Sequence, residues 1–411
     1  IDEREQICDN CGSTMVKVGE EFVRTEVQFI PAKLKVIDHY RETYECRSCR
    51  KNGTPYMEKA PVPYPPVLHS LASASTITWL IHQKFELSIP LYRQEKEWEA
   101  LGLRLSRATM SNWLLVVYRD WLVHIVHRLK LELLKQRYLH IDETHVQVLK
   151  EPGRKNTSDS YMWVYCSIRD AVNPIRYFEY QPGRSGKYPE AFLREYEGYI
   201  HTDAYSGYNA VSGVKRCLCY THLRRAFVDA LPKDIHNSEA SKPAEAILRL
   251  NQLFNIESEL EALPPDQNKK ERLIREKPLL EAFWSWAEKS AIGELPKSKL
   301  SKAFHYALNN REGFWNYLED GNCSISNSLA ENCIRPFVIG RKNWLFSGSP
   351  KGAEASAGIY TLVETAKANG LAPMKYIKYI LSDMPGSAFL EHPEYLDDYL
   401  PWNPLVKEFC R

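Results

Sequence analysis

The amino-acid sequence predicts a multidomain α/β protein built around a mixed β-sheet core. Three observations predict it: β-branched and aromatic runs concentrate between residues 137 and 231, helical periodicity dominates on both sides of them, and two close pairs of cysteines open the chain. With 411 residues, 44% apolar and 26% charged, the chain is typical of a soluble globular protein of two to four domains. The chain has 54 Lys and Arg and 52 Asp and Glu, which gives a net charge of only +2. Any binding of nucleic acid therefore has to use local basic patches.

Changes of pattern along the chain predict six segments. They are a zinc-ribbon domain at 1–59, a helical, helix-turn-helix-like region at 60–136, the first part of the core at 137–231, a helical insertion at 232–321, the second part of the core at 322–370, and a C-terminal helix and tail at 371–411. A proline-rich stretch at 60–66 marks the first boundary because it is stiff and poor in backbone donors.

The sequence has no run of about 18 apolar residues and no signal-peptide pattern. We therefore expect a cytoplasmic protein without membrane contact. Because Ile1 is not a natural start, we also expect that an N-terminal segment is missing.

The first segment carries the cysteine pattern of a zinc ribbon. Cys8 and Cys11 form one C-x-x-C pair, and Cys46 and Cys49 form the second. Four thiolates suit a closed tetrahedral Zn²⁺ site, whose binding free energy helps to fold a domain too small for a good core. Strand-like alternation in the intervening residues predicts a β-hairpin that joins the two pairs, with strands at 22–27 and 33–37. The alternatives are reduced free thiols or a redox pair.

The helical region after the linker contains a candidate helix-turn-helix. Residues 92–101, a turn around Gly102 and a helix opening near Arg107 have the required order and spacing. Arg107, Thr109 and Asn112 would then face a DNA groove. An ordinary pair of packed helices is the alternative.

Strand patterns after residue 137 predict a mixed sheet with a helical covering. The predicted strands are 138–149, 161–168, 175–180, 199–202 and 216–220, with a helix near 188–196. Gly153 and the polar residues after it predict a hairpin-type connection between the first two strands. Three sequential strands, a helix and a return strand follow the order of a ribonuclease-H-like core.

Three carboxylates stand in settings that indicate a phosphoryl-transfer site. Asp142 and Asp203 each close or interrupt a predicted strand, and Glu331 lies in a predicted helix at 324–334. Grouped carboxylates repel one another unless hard cations neutralise them, and two Mg²⁺ ions, or Mn²⁺ in their place, can activate a nucleophile and stabilise its leaving oxygen. Glu143 is expected on the opposite face of its strand and outside the site.

The cysteine segment, the two aspartate strands and the block from Asn327 to Gly348 together resemble a known family. The block reads Asn-Ser-Leu-Ala-Glu-Asn-Cys-Ile-Arg-Pro and continues to Gly-Arg-Lys-Asn-Trp-Leu-Phe-Ser-Gly. These motifs are similar to those of the IS66 family of insertion-sequence transposases, and the resemblance covers nearly the whole chain. It implies a ribonuclease-H-like fold with a DDE triad, in which Asp142, Asp203 and Glu331 carry over as the metal-binding catalytic residues.

The resemblance also bears on a Cys-x-x-His element, Cys219 and His222, which stands just before the helical insertion as in several DDE families. We expect these two residues to support the site through packing and hydrogen bonds. A second zinc site that also uses Cys217 is the alternative. Members of the family commonly carry a coiled-coil-like segment ahead of the ribbon, whose counterpart would precede Cys8.

A loop predicted after the glutamate helix, with Gly340, Gly348 and Gly352, is expected to reach DNA. Basic side chains there would contact phosphates, and the indole would stack on a base. The candidate residues are Arg335, Arg341, Lys342, Asn343 and Trp344. The alternative is a loop that Trp344 anchors in the core.

Together with the resemblance, these residues predict Mg²⁺-dependent DNA cleavage at insertion-sequence ends and strand transfer to target DNA. The expected partners are the terminal inverted repeats and target DNA, bound by a homo-oligomer with accessory proteins from the same element. One alternative is a nuclease of the same fold that only hydrolyses nucleic acid. The other is a non-catalytic regulator that binds DNA through the ribbon and the helix-turn-helix.

Overall fold

The computed structural model describes residues 6–29, 32–232 and 241–411. By internal contacts the chain divides into two compact units, Ile1–Glu58 and Lys59–Arg411. Within the described residues, no helix has both the length and the apolar character needed to cross a bilayer.

The first unit consists of two cysteine knuckles with little regular structure. Its elements are strands β1 (Thr43–Glu45) and β2 (Met57–Lys59), which pair with each other, and helix α1 (Arg47–Lys51). In the first knuckle the amide of Gly12 donates to Cys8 O at 2.8 Å, and in the second the amide of Arg50 donates to Cys46 O at 3.1 Å. Each C-x-x-C pair therefore closes a tight turn.

The hairpin predicted between the knuckles is wrong. The described residues of 22–27 and 33–37 form no strand, and apolar side chains there remain exposed, Val27 at 97%. An isolated hairpin is marginally stable at best in water, and these residues have no apolar surface to pack against. Alternation alone was therefore insufficient to define strands.

The second unit begins with helices separated by short turns. They are α2 (Ala74–Ile81), α3 (Leu91–Ala100), α4 (Arg107–Val117) and α5 (Val123–Leu134), with π-helical turns at His82–Glu86 and Tyr118–Leu122. The turn after α3 contains Gly102 at a φ of 89°, a backbone conformation that favours glycine. Helix α4 begins where it does because Ser106 Oγ accepts the amide of Thr109 at 3.1 Å. The two helices and the turn predicted here are present.

A mixed six-stranded sheet forms the centre of the second unit. Its strands are β3 (Tyr138–Val148), β4 (Asp159–Ser167), β5 (Arg176–Gln181), β6 (Gly198–Thr202), β7 (Val214–Leu218) and β8 (Phe346–Ser347). The order is β5-β4-β3-β6-β7, and β8 also pairs with β3. Strands β3, β4 and β5 pair antiparallel, whereas β6 and β8 run parallel to β3 and β7 runs parallel to β6. The first five of these strands lie close to the predicted bounds.

Helices cover the sheet and fill most of the remaining chain. They are α6 (Lys187–Phe192), α7 (Tyr220–Val228), α8 (Lys242–Leu260), α9 (Pro265–Ala291), α10 (Lys299–Asn309), α11 (Arg311–Trp315), α12 (Ser328–Trp344), α13 (Pro350–Ala368), α14 (Pro373–Asp383) and α15 (Pro404–Cys410). One buried core joins β3 to β5 with α2, α4, α5, α12, α13 and α14. A second core joins β7 and α7 with α8 to α11, around Phe227, Trp284 and Phe304.

Helix α12 extends beyond the predicted end at residue 334 and continues to Trp344, so the first part of the predicted loop is wrong. Gly340 is helical, and a Cβ added there would lie 2.0 Å from the Trp344 ring and 2.6 Å from Tyr360 Oη. This glycine therefore allows two aromatic side chains to approach the helix. The helix ends at Leu345, whose φ is 66°, and the chain then enters β8.

Gly358→Ala should destabilise the protein by about 1–3 kcal/mol, the usual cost of overpacking a core. A Cβ at Gly358 would lie 2.0 Å from Cε2 of Tyr118, so the helix or the ring has to shift. Gly352→Ala in the same helix is the matched control, because its Cβ would lie 3.5 Å from Ser349 Oγ. Urea unfolding should show a loss for the first variant alone; equal stabilities would contradict the close contact.

Candidate functional site

The parallel pairing of β3 and β6 brings Asp142 and Asp203 close to each other. His140 lies opposite His201 in this pairing, and each aspartate follows two residues later, on the same face of its chain. The two imidazoles are buried and stacked, with ring centroids 4.2 Å apart. The histidine stack therefore fixes the spacing of the two chains just before the aspartates.

Glu331 lies in the first turn of α12, and Asn327 attaches the start of this helix to β3. Asn327 is 1% exposed, its side-chain nitrogen donates to Ile141 O at 2.7 Å, and its side-chain oxygen lies 3.0 Å from His140 Nδ1. The contacts on β3 are made by the two residues before Asp142. Glu331 is thus positioned against the strand that carries the first aspartate.

The three carboxyl groups lie within electrostatic reach of one another. Burial and the neighbouring charge of Glu143, together with the charges of Asp203 and Glu331, raise the pKa of Asp142 to about 7. Grouped carboxylates of this kind favour either protonation or a bound cation. Carboxylate oxygens suit a hard divalent cation such as Mg²⁺. Among the described residues, however, these three carboxyl groups do not all lie within 4.8 Å of one another.

Arg184 links Asp203 to Glu143. Its Nη2 lies 2.5 Å from Glu143 Oε1 and 3.7 Å from Asp203 Oδ2, and its guanidinium lies 3.9 Å from the centre of the Tyr205 ring. The amide of Tyr205 donates to Asp203 Oδ1 at 2.9 Å. These contacts hold the second aspartate in place from two directions.

Glu143 belongs to this charge network, although the sequence analysis left it outside the site. Its side chain is only 2% exposed, and it accepts hydrogen bonds from Arg184 and from the hydroxyl of Tyr208. Burial is the main cause that raises its pKa, and Arg184 opposes the rise. Alternation along a strand predicts the face of the sheet on which a side chain lies. It does not predict that a distant arginine will pair with that side chain.

Cys219, His222 and Arg225 lie beside Glu331. His222 Nδ1 is 3.6 Å from Glu331 Oε1, and Arg225 Nη2 is 4.0 Å from Glu331 Oε2. Cys219 is buried, and its Sγ accepts the amide of Asn327 at 3.2 Å. Cys219 and His222 therefore lie beside Glu331, and their role in supporting the site stays a prediction.

The residues proposed for the helix-turn-helix lie on α4. Arg107 and Asn112 are exposed, whereas Thr109 is half-buried and its Oγ1 lies 2.9 Å from Ser106 Oγ. The opposite face of the helix is buried through Met110 and its apolar neighbours. Arg107 and Asn112 are therefore accessible to a ligand.

The residues proposed to contact DNA after Glu331 lie along α12. Arg335 and Lys342 are exposed. Arg341 instead donates to Thr144 Oγ1 on β3 at 3.0 Å, and the side chain of Asn343 donates to Ile339 O at 3.4 Å. Only the first two of these side chains are exposed to solvent without a hydrogen bond described within the chain.

Trp344 packs toward the core of the second unit. Its ring centroid lies 6.4 Å from that of Tyr360, and Lys84 Nζ lies 5.1 Å from the indole. Burial lowers the pKa of Lys84 to about 8. In this structure the indole of Trp344 is anchored in the core, which is the alternative to base stacking given for this residue.

The four ribbon cysteines are brought together pairwise. Cys8 interacts with Cys11, and Cys46 with Cys49. Among the described residues, no three of these four sulfur atoms lie within 4.8 Å of one another. The structure thus contains both cysteine knuckles of a ribbon, but their four sulfur atoms do not converge on a single metal position.

Asn327 was missed by the sequence analysis, and Asn327→Ala should reduce activity and stability together. Removal of the side chain leaves a buried carbonyl of Ile141 and a nitrogen of His140 without their partner, which costs about 1–3 kcal/mol. Any activity that depends on Glu331 should fall, because the change shifts this carboxylate. Asn332→Ala, an exposed change on the same helix, is the control. Equal activity of both variants would contradict the positioning role.

In the absence of divalent metal, the free energy of unfolding should fall as the pH rises from about 4 to about 7. Because the folded-state pKa of Asp142 is raised to about 7, its contribution is complete below its ordinary pKa of 3.8 and is lost as the pH rises through 7. The difference is at most roughly 4 kcal/mol. Urea unfolding with EDTA at several pH values measures it, and Asp142→Asn should remove this part of the slope. A variant with the wild-type slope would contradict the assignment.

Comparison with known proteins assigns the chain to a family. The Transposase IS66 family matches residues 69–355, and the zinc-finger binding domain of transposase IS66 matches residues 5–50. Three similar proteins come from Sinorhizobium fredii (strain NBRC 101917 / NGR234). Uncharacterized protein y4hP is 27% identical over 97% of this chain and 75% of its own, y4jD is 26% identical over 98% and 79%, and y4qI is 28% identical over 98% and 74%. Since the first match spans more than half of the chain, the protein belongs to the IS66 transposase family and carries that family's zinc-finger domain at its N-terminal end.

Proposed function

We propose that this IS66-family chain is a DDE transposase that cleaves DNA at insertion-sequence ends and joins the freed 3′ ends to target DNA with Mg²⁺. The observation that carries the proposal is the grouping of Asp142, Asp203 and Glu331. They come from β3, from the end of β6 and from α12, and the charges of the other two contribute to the raised pKa of Asp142. Such a group suits phosphoryl transfer better than a structural role.

The donor set fits the metal that the family implies. Three carboxylates offer hard oxygen ligands, and the raised pKa of Asp142 reflects negative charge that a cation would neutralise. Two Mg²⁺ ions, or Mn²⁺, held by Asp142, Asp203 and Glu331 would activate the attacking oxygen and stabilise the leaving 3′ oxygen. The reaction requires no covalent protein intermediate, so it requires no Ser or Tyr nucleophile.

Neighbouring cations of the chain would orient these ligands and the DNA. Arg184, 3.7 Å from Asp203 and paired with Glu143, keeps the second aspartate in position. Arg225 lies beside Glu331 and is 56% exposed, so its guanidinium can reach a DNA phosphate at the same time. Exposed Arg335 and Lys342 extend this basic surface along α12.

The sheet order supports a ribonuclease-H-like core as part of the proposal. Three antiparallel strands followed by two parallel ones, β5-β4-β3-β6-β7, place one aspartate on the central strand and the other after its parallel neighbour. Helices α8 to α11 would then be the insertion between the two parts of the core, at 232–321. The core would comprise 137–231 and 322–370.

DNA would be bound outside the catalytic group. The zinc ribbon, with a structural Zn²⁺ on Cys8, Cys11, Cys46 and Cys49, and the exposed side chains of α4 would hold the terminal inverted repeats, largely through phosphates. A homo-oligomer would bring two ends together, with accessory proteins of the element as further partners.

The proposal is tested with purified chain, labelled end DNA, Mg²⁺ and a target plasmid. Products covalently joined to the plasmid are expected. Hydrolysed ends without joined product would instead indicate a nuclease of the same fold. Binding of the ends without either reaction, unchanged by Asp142→Asn, would indicate a non-catalytic regulator.

A further inference from the structure

Three potential metal ligands meet beside the start of α12. Cys219 Sγ, a ring nitrogen of His222 and a carboxylate oxygen of Glu331 all lie within 4.8 Å of one another. Cys219 precedes α7 and His222 lies in its first turn, while Glu331 lies in the first turn of α12. Two helix starts therefore direct one thiol, one imidazole and one carboxylate to a single point.

Two atoms of this group lack hydrogen-bond partners. Within the described residues, His222 Nδ1 and Glu331 Oε1 are buried and accept or donate no hydrogen bond. They face each other at 3.6 Å, which exceeds an ordinary hydrogen bond of about 2.7–3.2 Å. Ligand atoms on one tetrahedral Zn²⁺ lie about 3.4–3.6 Å apart, given metal–ligand bonds of about 2.0–2.3 Å. The gap between these two atoms has the size that one metal ion requires.

The Cys219 thiol also accepts a hydrogen bond of the kind that stabilises a metal-binding thiolate. The amide of Asn327 donates to Cys219 Sγ at 3.2 Å, and such N–H groups stabilise a thiolate. A thiolate and an imidazole favour a borderline-soft ion over Mg²⁺, which prefers oxygen.

We propose that Cys219, His222 and Glu331 form a Zn²⁺ site with an open fourth position. Three protein ligands and one position for water or an oxygen of the DNA are the arrangement of catalytic rather than structural zinc sites. The site shares Glu331 with the proposed Mg²⁺ group, but its occupancy by zinc does not depend on whether the chain joins DNA strands. It is separate from the ribbon zinc, whose ligands are the four cysteines of the first unit.

A second cluster in the same unit, His201, Cys217 and Cys323, is a weaker candidate. Its atoms also lie within 4.8 Å of one another and are buried. However, His201 Nδ1 lies 3.2 Å from Leu139 O, and its Nε2 accepts the amide of Ser324 at 2.9 Å. Since both ring nitrogens are already used, a metal there would have to displace a hydrogen bond.

Metal content of the full chain tests the site directly. Wild-type protein, purified without added metal and analysed by mass spectrometry for zinc, should hold one equivalent more than the ribbon accounts for. Cys219→Ser should lose that equivalent, and Cys217→Ser, a buried thiol two residues away, should keep it. If Cys219→Ser retains the zinc of wild type, the site does not exist; loss in Cys217→Ser alone would assign the metal to the other cluster.

Cobalt supplies a second readout. In full chain with all four ribbon cysteines replaced by serine, Co²⁺ should give a thiolate-to-metal absorption band that Cys219→Ser abolishes. His222→Gln should weaken Co²⁺ affinity by at least about tenfold, as the loss of a ligand does. Circular dichroism and thermal unfolding of each variant identify any that fail to fold, and a band unchanged in both folded variants would overturn the proposal. Failure of strand transfer with the zinc retained would contradict the proposed function alone.

Discussion

Asp142→Asn should reduce DNA cleavage and strand transfer by at least about 10³-fold, because loss of a metal ligand removes several kcal/mol of transition-state stabilisation. The amide keeps the size of the side chain but loses the charge that a cation neutralises. Affinity for end DNA, measured by gel shift or fluorescence anisotropy in EDTA, should remain within about twofold of wild type. Single-turnover assays with Mg²⁺ and with Mn²⁺ measure the loss.

The matched control is Asp159→Asn, an exposed aspartate at the start of β4 in the same sheet. It should retain wild-type rates. Because burial and neighbouring carboxylates raise the pKa of Asp142, Asp142→Asn should also be at least as stable as wild type in EDTA at neutral pH. An active Asp142→Asn protein would contradict the catalytic assignment, and a destabilised one would contradict the predicted effect on stability.

Removal of zinc should unfold the first unit while the second remains folded. No apolar side chain in the described part of the first unit is buried, and Val16, Val18 and Val27 are at least 80% exposed. Without a core, the fold of this unit has to come from its metal, and structural zinc contributes about 10–16 kcal/mol in small domains. Proteolysis after chelation should cut within residues 6–58 and leave a resistant fragment that begins near the linker.

Cys46→Ser should reproduce the effect of the chelator and weaken binding of end DNA, whereas Cys410→Ser, a buried thiol near the C-terminus, should leave both properties unchanged. Two-dimensional NMR of the full chain, or limited proteolysis with mass spectrometry, distinguishes the two units. A first unit that stays resistant to protease without zinc would show that some other interaction folds it.

Much of the sheet was predictable because its strands are defined by residues that are near one another in the sequence. Strands β3 to β7 contain β-branched and aromatic residues and are bounded by turn residues, and the structure places them close to the predicted limits. The two aspartates were found for the same reason, since each closes or interrupts a predicted strand. Their grouping was predictable only once a parallel pairing of β3 with β6 was assumed.

The errors came from residues whose role depends on distant partners. Gly340 was placed in a predicted loop, but this glycine accommodates Trp344 and Tyr360, and α12 continues through it. Asn327 before a helix resembles an ordinary cap, although its side chain bonds to β3, almost two hundred residues earlier. No local pattern contains that information.

Arg184 was missed and the ribbon hairpin was wrong because both depend on parts of the structure that the local sequence does not show. Arg184 follows β5 in an unremarkable polar turn, and only the folded chain places it against Glu143 and Asp203. The alternation at 22–27 indicated a strand, but a strand needs a partner and an apolar surface, which this unit lacks. Periodicity therefore predicted elements best where a large core was available.

Helix α12 is fastened to the same strand at both of its ends. Asn327 bonds to Ile141 at the start, Arg341 to Thr144 near the end, and β8 pairs with β3 at Gln147 and Val148. Local opening of the helix thus requires opening of the central strand, so amide protons of α12 and β3 should exchange with solvent as one cooperative unit. On the α7 side of Glu331, by contrast, His222 and Arg225 make no short direct bond to it, so this contact does not couple α7 to that unit.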